Sequence, residues 1–148
     1  MRKFALYAFS FLGPAVLTAC MSVPTDLDRS LDRLSSQHKY QVAVHSLAQP
    51  APINRMHAWE VDLRTASGQP VTGARISVDG GMPQHGHGFP TQPKVTRELG
   101  EGRYLVEGMK FSMPGWWQIK LKVDGAAGVD DVTFNTVVNT STQLLAKR

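Results

Sequence analysis

The residues best equipped for chemistry lie in Met82-Pro83-Gln84-His85-Gly86-His87-Gly88. This stretch packs a thioether and two imidazoles into a loop that Pro and Gly keep out of helix or strand. Thioether sulfur is soft and imidazole nitrogen borderline. Together they suit copper better than calcium or magnesium, which take oxygen ligands. The His85-x-His87 spacing in an extended loop puts both rings on one side of the chain.

Further donors of the same kind are Met56, His57, Met109 and Met113. The candidate metal set is therefore His85, His87, Met82, Met113, Met109 and His57. Trp116 can cover it, since an indole face attracts a cation. Cu(I) fits this set because thioether and imidazole hold it where thiols would oxidise, and neutral thioethers leave an affinity modest enough for the metal to be passed on. A Cu(II) site built from His85, His87 and His57 is the variant. Each residue also has a plainer reading. Met109 falls on a strand, where Met is a common gap filler. His57 shares parity with Trp59 and suits a buried, hydrogen-bonded ring. Trp116 and Trp117 serve as packing residues, and Gly86 and Gly88 serve backbone geometry. The same loop can also dock a protein partner without any metal.

Enzyme readings are weaker, and we expect no catalytic residues. A cupin-like His-x-His wants a carboxylate a few residues on, whereas Phe89, Pro90, Thr91 and Gln92 follow. No Gly-x-Ser-x-Gly elbow and no phosphate loop occurs. Asp130-Asp131 reads as a solvated pair.

The elements that must position this loop are strands. From Lys39 the pattern has period two. Tyr40, Val42 and Val44 give a first strand; His57, Trp59, Val61 and Leu63 a second; Ile76 and Val78 a third; Val95 to Leu99 a short fourth. Arg103 to Phe111 is a fifth, and Trp117, Ile119, Leu121 and Val123 make a sixth with Lys120 and Lys122 on its other face. Val132, Phe134, Thr136 and Val138 form a seventh. Turn signals separate them, among them Gln49-Pro50-Ala51-Pro52, Ser67-Gly68-Gln69-Pro70 and Ser112-Met113-Pro114-Gly115. The expected fold is all-β, an immunoglobulin-like antiparallel β-sandwich of about seven strands. Its core rests on Trp59, Tyr104, Trp117, Ile119 and Phe134. If consecutive strands run antiparallel, the loops after strands one, three and five share one end: Gln49 to Met56, Met82 to Pro93, and Ser112 to Trp116. That parity gathers the donors at one pole.

The chain has 148 residues and a formal net charge of +4. Arg2 and Lys3 open an apolar stretch from Phe4 to Val16, too short and interrupted for a comfortable membrane span. Leu17-Thr18-Ala19-Cys20 follows and resembles a bacterial lipobox. Residues 1–19 are thus expected as a lipoprotein signal peptide, and their removal takes the net charge from +4 to +2. No basic run supports a nucleic-acid partner. Cys20, the only cysteine, becomes the lipidated N-terminus and anchors the chain in the cell envelope. Met21 rather than Asp follows it, which by resemblance to enterobacterial sorting favours the outer membrane, facing the periplasm. Residues 20–38 form a tether in which Thr25 can cap a short helix with Leu27, Leu31 and Leu34 on one face. Residues 39–148 form the domain. Beyond the membrane, the expected partner is an envelope protein that donates or receives copper.

The order Gly73-Ala74-x-Ile76-x-Val78, Met82-Pro83-x-His85-x-His87-Gly88, Gly102-x-Tyr104-x-Val106-x-Gly108-Met109-x-Phe111 and Pro114-Gly115-x-Trp117-x-Ile119 resembles the YtkA-like domain, a small exported immunoglobulin-like module. The FixH proteins of cytochrome oxidase assembly look like more distant relatives. The resemblance covers roughly Ala51 to Val138. It implies an exported β-sandwich and is consistent with copper handling, but supplies no ligand set. A lipidated N-terminus departs from the membrane-spanning relatives.

Overall fold

The computed structural model describes residues 23–139. The expected signal peptide, Cys20 and the C-terminal residues from Thr140 lie outside them. The described chain is all β, with nine strands: β1 Asp32–Leu34, β2 Tyr40–Ser46, β3 His57–Thr65, β4 Arg75–Met82, β5 His87–Gly88, β6 Lys94–Gly100, β7 Arg103–Met109, β8 Gly115–Gly125 and β9 Gly128–Val138. Every paired neighbour is antiparallel, in the order β1-β2-β3-β7-β6-β4-β8-β9, with β5 added to β4. The sheet curls. β6 and β4 meet only at Ser77 and Lys94. At the opposite seam, the β1 end of the sheet is stitched to β9: Ser36 N donates to the Asp131 carbonyl at 2.8 Å and the Arg33 guanidinium to the Thr133 carbonyl at 3.0 Å. The result is a nearly closed barrel.

The period-two residues fill its interior. Trp117, Phe134, Tyr104, Ile119 and Trp59 are all buried, as are Tyr40, Leu63 and Phe111. Alternation dictates this, because a strand places successive side chains on opposite faces. All seven expected strands are present. β1 and β5 are additional.

Two expectations need correction. The segment around Leu27, Leu31 and Leu34 contains no helix. It is coil leading into β1, whose residues pair with Gln41 to Ala43 of β2. Leu31 packs against the core while Leu34 stays 43% exposed. An isolated short helix is marginal, whereas the open edge of β2 offers unsatisfied backbone groups that a strand can pair. Of the Asp130-Asp131 pair only Asp131 is solvated. Asp130 is buried, and its carboxylate accepts from Ser35 Oγ at 2.6 Å and from the backbone N–H groups of Asp131, Gln37 and Lys39. It clamps the turn that leads into β2.

Candidate metal centre at one pole

Strand direction settles where the loops go. β2, β4, β7 and β9 run one way and β3, β6 and β8 the other. The loops 47–56, 83–93 and 110–114 therefore share one end. They are cross-linked there: Asn54 N donates to the Phe111 carbonyl at 2.8 Å, Thr91 Oγ1 to the Gly108 carbonyl at 2.6 Å, and Trp117 Nε1 to the Met113 carbonyl at 3.1 Å. Beneath them lies an aromatic floor. Phe89 stacks on Trp117 at 5.8 Å, and Phe111 lies 5.1 Å from Trp117.

The hairpin that carries the imidazoles is built on Met82. Its carbonyl accepts from the N–H groups of His85 and Gly86 at 3.1 and 3.0 Å, and His87 then pairs back to Met82 across the β4–β5 ladder. Glycine is required beneath it. A Cβ on Gly80, whose φ is +154°, would lie 2.1 Å from the Gln118 carbonyl oxygen, and one on Gly81 would lie 2.2 Å from that of His87. The His85 and His87 rings are exposed and stacked, with centroids 5.5 Å apart and planes 20° apart. Imidazole lone pairs lie in the ring plane, so two nearly parallel rings aim them side by side. Convergence on one ion needs a ring rotation, which exposed side chains make in picoseconds to nanoseconds.

The other donors divide. Met82 and Met109 are each 1% exposed and belong to the core; neither thioether shares the surface of the two imidazoles. Met113 is half-buried and packs against the core. Met56 is 68% exposed. His57 stands opposite Met109 in the β3–β7 ladder, with its ring 5.3 Å from Phe111. Its Nδ1 faces the Arg55 carbonyl at 3.1 Å, a contact that needs the proton on Nδ1. The lone pair is then on Nε2, which is buried without a hydrogen-bond partner. Burial pushes this imidazole below its usual range, with the Arg55 hydrogen bond working the other way. A neutral imidazole oriented by a backbone carbonyl is the state a metal ligand requires. Trp116 lies on the outer face, where its Nε1 donates to Asn135 Oδ1 at 3.0 Å.

The donor chemistry of the pole is narrow. Its three loops contain no Asp or Glu, and no group of three or more His, Cys, Asp or Glu side chains converges among the described residues. Only imidazole and thioether remain, which fits a soft or borderline cation and not a hard one. Beside His87 the hairpin backbone, Gln118 and Lys120 line a cleft of about 230 Å³. The Lys120 ammonium opposes a cation there, but Asp79 stands directly across the ladder from it. Sequence reasoning missed the unpartnered Nε2 of His57. The adjacent Arg55-Met56 carried no signal that a carbonyl would turn back onto the ring.

The profile of the YtkA-like family matches residues 35–122. Among solved structures, the chain is similar to a DUF4426 family protein from Pseudomonas aeruginosa PAO1. That likeness has a TM-score of 0.52 and 16% identity, and covers 73% of this chain and 94% of that one. At that identity it speaks for the fold alone. No curated protein matches the chain. The family match spans more than half of the sequence, from the Asp130 clamp's partner Ser35 through the His hairpin to the middle of β8, so the chain belongs to the YtkA-like family.

Proposed function

We propose that this protein is a lipid-anchored module of the cell envelope that binds copper at the His85/His87 pole and delivers or buffers it. The reading takes residues 1–19 as a signal peptide, Cys20 as the acylated N-terminus and the barrel as an immunoglobulin-like sandwich, held on the periplasmic side of the outer membrane. The observation that carries it is the exposed His85–His87 pair on a rigid glycine-bedded hairpin, in a pole whose loops hold no carboxylate. Two imidazoles make a two-coordinate Cu(I) site once their rings turn toward each other, and Met113 supplies the accessible soft donor beside the core. Met82, Met109 and His57 come into play only if the pole opens. His57 then offers a neutral Nε2, which suits Cu(II) as well. An exposed site of few ligands gives the moderate affinity that handing the metal to another envelope protein requires.

The test is competition titration of the acylated full chain in detergent micelles with Cu(I) under reducing conditions. One equivalent should bind, and His85→Ala/His87→Ala should weaken binding by at least about tenfold, roughly 1.4 kcal/mol. Equal binding by the variant refutes the site. Lys120 beside His87 and the 68% exposure of Met56 favour a second reading, a metal-free surface that docks a protein partner through the same loop. Absence of copper binding in the unmodified chain would select it.

A further inference from the structure

The path of the chain into β1 has a consequence for where the pole faces. The Asp28 carbonyl accepts from Asn135 Nδ2 at 2.8 Å, and the Asp28 carboxylate pairs with Arg33 at 3.1 Å. Asn135 stands opposite Gln118, and Gln118 opposite Gly81, the base of the His hairpin. The N-terminal segment therefore leaves the barrel level with that hairpin. Seven residues lie between Cys20 and Asp28, and the eight steps reach at most about 28 Å when fully extended. The pole loops carry Arg55 and Lys110 and no acidic residue, and they expose Leu47 (53%) and Met56 (68%). The turns of the far end carry both signs: Glu98, Glu101 and Asp124 stand beside Lys39, Arg103 and Arg75, which pairs with Asp124. Val129 is 45% exposed there, and of the two residues that follow it Asp130 is buried and Asp131 exposed. Loops of one sign combined with exposed apolar side chains suit an anionic bilayer surface better than turns of mixed sign.

We infer that the pole docks on the bilayer in which Cys20 is anchored. Arg55 and Lys110 meet anionic headgroups, and Leu47 and Met56 enter their apolar margin. This inference rests on the anchor reading. It turns the His85/His87 hairpin toward the membrane, so a copper-exchange partner must approach within the membrane plane or be embedded in it.

The experiment uses the acylated full chain in vesicles of phosphatidylethanolamine and phosphatidylglycerol carrying a headgroup energy acceptor. A thiol dye is placed at the pole through Gln92→Cys or at the far end through Ala126→Cys, the thiol of Cys20 being blocked by its lipid. Transfer from residue 92 should exceed transfer from residue 126 at least twofold. Arg55→Glu/Lys110→Glu should abolish the difference. Equal transfer from both positions in vesicles that retain the chain overturns the orientation and leaves the anchor standing. A difference that survives the double charge reversal assigns the orientation to the tether alone and overturns headgroup docking. Failure of the acylated chain to stay with the vesicles overturns the anchor reading and this inference with it.

Discussion

Single residues set two pH responses in opposite parts of the barrel. Burial pushes the His57 imidazole below its usual range, so the unfolded chain binds more protons than the folded one between the two values. Stability is then full above about pH 6.5 and falls as the pH drops through that region. Denaturation midpoints measured from pH 7.5 to 5.5 should decline in the wild type, and His57→Phe should flatten the decline. Asp130 behaves differently. Burial works to raise its carboxyl, but the hydrogen bonds from Ser35, Asp131, Gln37 and Lys39 outweigh it and hold it below the usual range. Its contribution is present above about pH 4 and lost below. Asp130→Asn replaces one acceptor oxygen by an N–H donor facing other donors. It should cost about 1–3 kcal/mol at neutral pH, read by urea denaturation. Neither residue announced its role in sequence. Both roles depend on which backbone turns toward them, that of nearby Arg55 for one and the distant Ser35 to Lys39 turn for the other.

At the scale of elements, the seven longer strands were legible because alternation of Val, Ile, Leu and aromatic residues is itself the burial pattern of a half-buried strand. β1 and β5 were not. Three and two residues carry no measurable period, and both form because a neighbouring edge, β2 or β4, accepts them. Two glycines, Gly80 in β4 and Gly68 in the turn after β3, separate position from composition. At Gly80 a Cβ would meet the β8 backbone at 2.1 Å, while at Gly68 nothing lies within 4 Å and only the positive φ of 86° resists substitution. Gly80→Ala should therefore cost roughly 3 kcal/mol or more and splay β4 from β8. Gly68→Ala should cost about 1 kcal/mol. Equal denaturant midpoints for the two variants would contradict the packing described for the hairpin base.

For the whole molecule, antiparallel parity did most of the work. It brought the loops before β3, after β4 and before β8 to one end from strand order alone, and the sheet topology agrees. What parity could not supply is depth. Met82 and Met109 share the pole with His85 and His87 but lie beneath its surface, because each falls on the inward phase of its strand. The soft-donor cluster thus resolves into an exposed imidazole pair above a floor of Phe89, Phe111 and Trp117. The proposed anchor gives a separate expectation at this scale: Cys20→Ser should move the protein from the membrane fraction to the soluble fraction.

The central claim is tested most directly by following the histidine ring resonances of the full chain in micelles while one equivalent of Cu(I) is added. His85 and His87 should shift together and saturate at one equivalent. His38, in the turn before β2, and His45, facing Glu60 on the β2–β3 wall, should stay fixed. Unchanged His85 and His87 resonances, or shifts spread evenly over all five histidines, would contradict a copper site at this pole.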